Sequence, residues 1–335
     1  MKLLSHFLTS VFLVICGAAS LSANESAAET RVVSSISELQ AAVAVAQPGD
    51  AIEFLSGHYL DEPIALEIKG VLGSPIRIYA RDDAEVIVLS PIRLEGRHFS
   101  FENIRFEHEG NLTILAEDFR LTGAVFDEVK SKRWIVVEPG SQRVEIDHCV
   151  FQNKTSNAIH PRDCQLMQIK VRNKNEQHHI HHNLFRDVVK GASSNGFETL
   201  QLITENNPFD PPPGRSNSII EDNLFARWNG EGEIISIKSN GNWIRRNTFR
   251  ASRGGLVLRH GDDNVVTHNY LLGDGEAGSA GIRIQGTGQV VLGNYFQDLE
   301  RNSFVMIDGT PDDLYVRVER AVVAFNTFVN CRDPF

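Results

Sequence analysis

The protein has 335 residues and a formal net charge of -10, and 23% of its residues are charged. This acidic balance argues against nucleic acid as a general partner, because nucleic-acid-binding surfaces are basic. An acidic ligand must therefore meet a local cluster of cations or a bound metal ion, since the chain as a whole repels it.

The N-terminal segment has the order of a secretory signal peptide. Met1 and Lys2 give a positive start, residues 8–19 are mostly apolar, and small residues continue to Ala23. We predict a signal peptide over residues 1–23 and one domain over residues 24–335. The apolar run is too short to span a bilayer, so we expect a secreted or periplasmic protein without a membrane partner.

One helix is predicted ahead of the first strands, over residues 37–43 and a few residues beyond. Ser37 can cap its N-terminus, and Pro48-Gly49-Asp50 ends it. We expect this helix to cover the N-terminal end of the domain, where apolar side chains and strand edges are otherwise exposed.

A motif of Asn, any residue and an aromatic residue recurs along the chain. Counted from Phe106 to Phe328, the aromatic positions are 20, 25, 34, 40, 24, 22, 25 and 32 residues apart, with Leu271 in a weaker copy. A core step of 20 to 25 residues with longer steps between is typical of a solenoid with inserted loops. The full copies are Asn183-Leu184-Phe185, Asn223-Leu224-Phe225, Asn247-Thr248-Phe249, Asn294-Tyr295-Phe296 and Asn326-Thr327-Phe328.

The segments beside each copy are of strand length and rich in β-branched residues, as at residues 144–146, 218–220, 255–258, 290–292 and 321–323. We therefore predict an all-β protein, a single-stranded right-handed parallel β-helix with an N-terminal capping helix. The Asn side chains are expected to form a hydrogen-bonded ladder at the strand spacing of ~4.8 Å, above a column of aromatic rings. We interpret both columns as architecture and not as a site.

Three cysteines follow the predicted signal peptide. Cys149 and Cys164 could form a disulfide in an oxidising compartment, but an odd number that includes Cys331 is no disulfide framework. Buried thiols are at least as good an interpretation.

The run His178-His179-Ile180-His181-His182 is similar to a metal-binding tract. Adjacent side chains on a strand point to opposite faces, so at most half of them can share an ion. We favour a polar edge of a coil for this run.

The densest polar stretch contains Glu231 and Glu233, which lie on one face of a strand. Two such carboxylates repel unless a cation lies between them, and hard oxygen ligands suit calcium. A solvated pair of surface glutamates is the alternative. Lys238 has the opposite parity, so a bend at Ile234-Ile235 is needed to bring all three to one side.

The spacing of further charged residues matches the repeat. Arg259 follows Lys238 by 21 residues, Arg283 follows Arg259 by 24, and Glu198 precedes Lys238 by 40. We predict that these four residues form one column on an outer face. Stacked cations repel each other, so the column indicates a track for a polyanion; an exposed cationic ladder balanced by glutamate is the alternative.

Several polar and apolar motifs follow one another in a fixed order, at residues 232–239, 247–249, 258–261, 281–284 and 294–296. On these motifs the chain resembles polysaccharide lyase family 6, which contains alginate lyases and chondroitinase B. The resemblance covers about residues 37–330. It implies calcium-dependent β-elimination on an acidic polysaccharide, and we favour alginate.

The resemblance also implies roles for single residues. Lys238 is the base that removes the proton at C5 of a uronate, and Arg259 helps to protonate the departing O4. Glu231, Glu233 and Asn195 hold calcium, which neutralises the uronate carboxylate.

Substrate contacts are implied in the same way. His260 and Arg283 match substrate-contacting positions, and Glu198 is assigned to the same surface. The family often has Arg where Gln201 stands and His where Gln289 stands. These two departures affect the substrate subsites more than the elimination itself.

Three alternatives remain open. The first is a chondroitinase B-type lyase on dermatan sulfate. The second is a β-helix glycoside hydrolase, for which Asp262-Asp263 could mimic the paired carboxylates of such enzymes. The side chains of consecutive residues on a strand point to opposite faces, so we favour a turn at these two residues. The third is a non-catalytic carbohydrate-binding solenoid, especially if the chain, which stops directly after a repeat copy, is truncated. We expect a monomer.

Overall fold

The computed structural model describes residues 27–60, 63–155, 164–191, 195–205, 210–311 and 315–335. The predicted signal peptide lies outside the described residues. Within these ranges the chain forms one α-helix and 31 strands. None of the helical structure in these ranges has the length and apolar character needed to cross a bilayer.

The helix α1 covers Ile36–Val45. The first strands are β1 (Thr30–Val33), β2 (Ala51–Phe54), β3 (Gly57–Tyr59), β4 (Ile64–Lys69), β5 (Ile76–Ala80), β6 (Val86–Val88), β7 (Ile92–Glu102), β8 (Arg105–Phe106), β9 (Leu112–Thr122), β10 (Val125–Asp127), β11 (Ile135–Val137), β12 (Gln142–Asp147) and β13 (Val150–Gln152). The next strands are β14 (Met167–Val171), β15 (His179–His181), β16 (Leu184–Val188), β17 (Leu200–Thr204), β18 (Ile219–Glu221), β19 (Leu224–Trp228), β20 (Glu233–Lys238), β21 (Trp243–Arg245) and β22 (Thr248–Arg250). The last strands are β23 (Gly254–His260), β24 (Val265–Thr267), β25 (Tyr270–Leu272), β26 (Ser279–Ile284), β27 (Val290–Leu292), β28 (Tyr295–Gln297), β29 (Phe304–Met306), β30 (Val322–Ala324) and β31 (Thr327–Val329).

The strands form three parallel stacks, and from β14 onward each coil contributes one strand to each stack. The first stack runs through β14, β17, β20, β23 and β26, and the second through β15, β18, β21, β24 and β27. The third stack is a separate sheet from β3 to β31. The strands of each stack pair in parallel with those of the neighbouring coils, so the predicted parallel β-helix is confirmed.

The predicted Asn ladder is present and buried. Asn223 donates from Nδ2 to Oδ1 of Asn247 over 3.0 Å, and Asn247 donates in turn to Asn269 over 3.1 Å. The same bond joins Asn183 to Asn223 and Asn294 to Asn326, each over 3.0 Å. Each amide also bonds backbone atoms of its neighbours, so the turns between the second and third stacks keep their polar groups paired.

The aromatic column lies inside the coils, as predicted. Ring centroids from Phe106 through Phe126 and Phe151 to Phe185 are 4.5, 5.0 and 4.8 Å apart. These separations match the spacing of neighbouring strands, because equivalent residues of successive coils are register partners. The aromatic column and the buried aliphatic side chains of the other stacks form one continuous core.

The helix differs from its prediction at its start. Ser35, and not Ser37, is the N-cap, and its hydroxyl accepts a hydrogen bond from the amide of Glu38 over 3.2 Å. The helix also follows β1 instead of preceding every strand. Its apolar face joins the core beside β1, β2 and β4, through Ile36 and Leu39. The predicted capping helix is thus present at the N-terminal end of the stacks.

No disulfide joins the cysteines in the described part of the chain. Cys149 and Cys164 are buried thiols, and Cys331 is half-buried. The disulfide alternative for Cys149 and Cys164 is therefore wrong, and the buried-thiol interpretation is confirmed.

Candidate active site

An irregularity in β20 brings its charged residues to one side. The register between β20 and β23 shifts between Glu233 and Ile235, which makes Ile234 an additional residue. Both Ile234 and Ile235 are fully buried in the core. The alternation of the strand is thereby reset, and Glu233 and Lys238 share the outer face. The predicted bend at these two isoleucines is confirmed.

A second shift, between Ile237 and Lys238, changes the neighbours across the coils. Lys238 is the register partner of His260 and not of Arg259. Arg283 is the partner of Val257 on β23. The predicted single column of Glu198, Lys238, Arg259 and Arg283 is therefore wrong. Counting residues along the chain cannot detect the additional residue that a bulge inserts.

Three buried carboxylates nevertheless converge in front of β20. One oxygen of each of Glu198, Glu231 and Glu233 lies within 4.8 Å of the other two. Their residues are only 1%, 4% and 7% exposed. Oε2 of Glu198 is buried and has no hydrogen-bond partner within the described ranges. Glu198, predicted to face substrate, thus lies with the two glutamates that were predicted to hold calcium.

The three carboxyl groups differ in their electrostatics. Burial, and then the charges of Glu198 and Glu233, raise the pKa of Glu231 to about 8. Burial also raises the pKa of Glu198, although Lys238 opposes this shift. Burial raises the pKa of Glu233 too, but the charges of Arg283 and Arg259 outweigh it, and the net shift is downward. A cation bound between these groups would favour their ionised forms.

Cationic side chains close the other side of the cluster. Nη1 of Arg259 donates to Oε1 of Glu233 over 2.7 Å, and Arg283 donates to the same oxygen. Nζ of Lys238 lies 3.9 Å from Oε1 of Glu198. The side chains of Lys238 and Arg259 are 16% and 18% exposed, so both can meet a ligand that approaches from solvent.

Several polar neighbours complete the cluster, and of these only Gln201 was singled out from the sequence. Gln201 donates from Nε2 to Oε1 of Glu198 over 3.0 Å, and Gln168 donates to Gln201 over 2.7 Å. Ser236 donates to Oε2 of Glu233 over 2.7 Å. Gln168, Gln201 and Ser236 are register partners on β14, β17 and β20, a relationship that only the pairing of the coils reveals.

An aromatic residue from outside the strands also reaches the site. The guanidinium of Arg259 lies 5.5 Å from the centre of the Tyr315 ring. Tyr315 belongs to the connection between β29 and β30. No repeat or periodicity relates this position to the active-site coils, so its approach could not be read from the sequence.

The remaining predicted residues occupy different depths. His260 is buried, and burial together with the charges of Arg259 and Lys238 lowers its pKa to about 4, so the ring is neutral at neutral pH. Asn195 is exposed on the segment that leads to Glu198. Gln289 is fully buried and donates to the carbonyl of Gly261 over 2.7 Å.

A groove of about 320 Å³ continues from the charged cluster along the first stack. Its floor includes Gly232, Gly255 and Gly281, and Arg283 and Arg301 contribute cationic walls. Aliphatic side chains such as Val257 and Ile307 also line the groove, so an extended chain can lie over an uncharged surface with its anionic groups toward the two guanidinium groups. Asp262 and Asp263, by contrast, lie in the turn after β23, and their carboxylates bond Thr287 and Arg215. The favoured turn is confirmed.

The family model described as Chondroitinase B matches residues 33–335 of this chain. Comparison with curated proteins gave no match. Among solved structures, the chain is similar to the PL6 family alginate lyase AlyGC, with 28% identity and a TM-score of 0.73 over 84% of this chain. A second structure is a mannuronic acid specific polysaccharide family 6 lyase from human gut microbiota, with 28% identity and a TM-score of 0.76.

The extent of these matches differs between the two chains. The gut enzyme is matched over 90% of this chain and 75% of its own, but AlyGC is matched over only 41% of its own length. A third structure is the polysaccharide lyase Pedsa3628 from Pseudopedobacter saltans, with 23% identity and a TM-score of 0.76. The match covers 90% of this chain and 77% of that chain, and it shows a common fold. The family match covers nearly the whole described domain, so the chain belongs to the Chondroitinase B family, within polysaccharide lyase family 6.

Proposed function

We propose that this protein cleaves alginate by calcium-assisted β-elimination and leaves a C4–C5 unsaturated uronate at the new chain end. The observation that carries the proposal is the convergence of Lys238 and Arg259 with three buried carboxylates at one end of an open groove. The two solved relatives at 28% identity support the substrate, because one is an alginate lyase and the other is mannuronic acid specific.

The reaction removes a proton from C5 of a uronate and breaks the bond between C4 and O4. Lys238 takes the C5 proton at Nζ, and the electron pair of that bond forms the C4–C5 double bond. The electron pair of the C4–O4 bond leaves on O4, to which Arg259 donates a hydrogen bond, and O4 takes up a proton from water. Both side chains are partly exposed, as proton transfer to and from a bound chain requires.

The acidic cluster fits a hard cation. Glu198, Glu231 and Glu233 supply carboxylate oxygens, which calcium prefers, and Oε2 of Glu198 has no hydrogen-bond partner among the described residues. Asn195, exposed on the segment before Glu198, is the fourth candidate ligand. Calcium, when bound, withdraws electrons from the uronate carboxylate and makes the C5 proton more acidic.

The remaining side chains bind and orient the substrate. Arg283 and Arg301 line the groove and attract uronate carboxylates. His260 is buried beside Lys238 and neutral at neutral pH, so it adds no charge to the site. Glu233 holds Arg259 in place through the bond from Nη1.

The test is ultraviolet absorbance of the unsaturated product, with alginate and with dermatan sulfate, in calcium and in a chelator. We expect a calcium-dependent rise with alginate. A rise with dermatan sulfate alone would indicate instead the specificity that the family description names. Cleavage without an absorbing product would point to hydrolysis, and binding without cleavage would point to a carbohydrate-binding solenoid.

A matched pair of lysines tests the assigned base. Lys170 and Lys238 occupy the same strand position two coils apart, because both pair with Ile203. Lys170 instead pairs with Glu138 over 3.1 Å. We expect Lys238→Ala to lower kcat by about 1,000-fold or more, and Lys170→Ala to leave it within about twofold. Near-normal turnover by Lys238→Ala would contradict the assignment of Lys238 as the base.

A further inference from the structure

A group of histidines lies on a different stack from the active site. β15 belongs to the stack of β12 and β18, whereas the active-site strands are β17, β20 and β23. His179 and His181 are two residues apart on β15 and face outward, while Ile180 between them is buried in the core. The run that was interpreted as a polar coil edge therefore presents two imidazoles on one face.

A carboxylate from the preceding coil completes a set of three donors. Glu145 on β12 is the register partner of His179. One donor atom from each of Glu145, His179 and His181 lies within 4.8 Å of the other two. Donors around a tetrahedral zinc ion lie roughly 3.4 Å apart, since each bond is about 2.0–2.1 Å long. Binding of an ion would draw these donor atoms together by up to about 1.4 Å.

The neighbouring groups hold the two imidazoles in orientation. Nε2 of His181 lies 3.0 Å from Oε1 of Glu145, and its Nδ1 lies 2.8 Å from Nδ1 of His182. Nε2 of His179 lies 2.9 Å from Oε1 of Glu221. Hydrogen bonds of this kind to the second ring nitrogen or to a carboxylate orient the imidazoles of metal sites.

Glu145 contacts Nε2 of His181 over 3.0 Å, and an ion that binds both groups replaces this contact. Arg120 approaches Glu145 to 3.7 Å, but it directs its hydrogen bonds to Asp147, over 2.9 and 2.7 Å. The side chain of Glu145 is 38% exposed, whereas that of His181 is 11% exposed. An ion can therefore enter from solvent and meet donors that are partly desolvated.

We propose that Glu145, His179 and His181 bind a divalent transition-metal ion of the zinc type, with water in the fourth position. Imidazole nitrogen favours zinc, cobalt or nickel over calcium, so this site and the all-carboxylate cluster select different ions. The ion links β12 to β15, two coils that are joined by one of the long steps of the repeat. Its binding stabilises the folded chain, because the three donors meet only when these coils are stacked.

The test uses the full-length protein without an affinity tag, freed of metal and then kept in millimolar calcium to occupy the acidic cluster. Zinc chloride is titrated by calorimetry, and cobalt chloride is followed by its visible absorption. We expect one ion per chain and the intense cobalt bands of a tetrahedral site. His179→Ala and His181→Ala should each weaken zinc binding by about 100-fold, because even partners beyond the ligands cost 10–100-fold.

His268 provides the matched control. Through the register pairs of the second stack, Thr267 is equivalent to His181. His268, the next residue, is therefore equivalent to His182. Its Nδ1 bonds the hydroxyl of Thr267, and no carboxylate is positioned to complete a metal site there among the described residues. His268→Ala should leave zinc binding unchanged. Equal affinity in His179→Ala, His181→Ala and the parent, or no zinc binding in calcium, would overturn the proposal.

A stability measurement guards against misfolded variants. Glu145→Gln keeps the shape of the side chain and removes only its charge. The parent should melt at a higher temperature in zinc than without it, and Glu145→Gln should show a much smaller increase. An equal increase in both would count against the assignment of this carboxylate as a ligand.

Discussion

Arg259 and Arg283 both donate hydrogen bonds to the same oxygen of Glu233, the former over 2.7 Å. One nearly buried carboxylate therefore holds two cations that belong to successive coils. The arrangement relieves the repulsion between the guanidinium groups and fixes their positions beside the groove. The negative charge of Glu233 thus orients the cationic side of the active site.

Glu233→Gln should remove the charge that these two arginines share. We expect kcat to fall by about 100-fold and the free energy of unfolding to fall by about 3 kcal/mol, because buried charges lose their partner. Product absorbance and chemical denaturation measure the two effects. Glu138→Gln is the control, because Glu138 forms a partly exposed salt bridge with Lys170. Such a salt bridge contributes less than about 1 kcal/mol to the free energy of unfolding. Equal effects of the two substitutions would contradict this role.

Calcium should raise the melting temperature through the acidic cluster. At a concentration about 100 times the dissociation constant, a ligand stabilises the folded state by about 2.7 kcal/mol. We expect Glu231→Gln to shift the calcium titration to at least about tenfold higher concentration. Scanning fluorimetry in calcium and in a chelator measures this shift. If calcium does not change the melting temperature of the parent protein, the assignment of the acidic cluster as a calcium site is contradicted.

Lys154 should lower stability at neutral pH. Its side chain is buried, its Nζ lies 5.0 Å from the centre of the Trp134 ring, and burial lowers its pKa to about 8. Lysine in the unfolded chain has a pKa near 10.5, so between pH 8 and 10.5 the unfolded state binds more protons than the folded state. The free-energy cost of burying the charged ammonium is therefore complete below pH 8 and decreases as the pH rises toward 10.5. We expect Lys154→Met to stabilise the fold by about 3 kcal/mol at pH 7 and by much less near pH 10.5.

Denaturation of the parent and Lys154→Met at several pH values checks this prediction. The difference between the two curves removes the contributions of every other titrating group. A difference that does not change with pH would show that packing, and not the charge, is responsible.

The Asn ladder should contribute strongly to stability. The side chain of Asn247 accepts from Nδ2 of Asn223 over 3.0 Å and donates to the carbonyl of Ile220 over 2.9 Å. Asn247→Ala leaves these buried groups without partners, which costs about 3 kcal/mol. Chemical denaturation measures the loss.

Asn217→Ala is the matched control for the ladder. Asn217 also donates to an asparagine, Asn175, over 2.6 Å, but this bond is exposed. Water replaces the exposed partner, and the remaining loss should be about 1 kcal/mol, because alanine is disfavoured at the left-handed backbone of Asn217, whose φ is 55°. A similar loss in both variants would argue that the ladder has no special contribution.

Glycines in the floor of the groove should differ sharply in their tolerance to alanine. A Cβ at Gly281 would meet the carbonyl oxygen of Ser303 at 1.7 Å, whereas a Cβ at Gly232 would meet nothing within 4 Å. Gly281→Ala should therefore disrupt the stacking of β26 on β29, and Gly232→Ala should leave the melting temperature nearly unchanged. Circular dichroism melts distinguish the two outcomes, and equal melting temperatures would contradict this packing.

The repeat could be recognised in the sequence because each coil packs equivalent residue types at equivalent positions. Every copy of the Asn and aromatic motif places an amide at a turn and a ring in the core, so the two ladders and the strand positions follow from spacing. The helix was predicted within two residues of its ends, but Ser35 and Ser37 both suit an N-cap, and only the fold shows which one bonds Glu38.

The active site was predicted less completely than the coils. The family motifs predicted roles for Lys238, Arg259 and the glutamates, and the bend at Ile234-Ile235 followed from their parity. The neighbours across coils did not follow, because bulges shift the register and place His260 beside Lys238. Residue counts describe distance along the chain, whereas register depends on backbone hydrogen bonds between coils.

The sequence by itself determined the solenoid, its ladders and the residue types at the active site, since these repeat or form local motifs. Only the tertiary structure decided that Glu198 joins the buried carboxylates, that Tyr315 reaches Arg259, and that Glu145 meets His179 and His181. These contacts join residues from 33 to 56 positions apart, through coils of unequal length. Their geometry depends on how the inserted loops and bulges set the stacking of the coils, which no local pattern encodes.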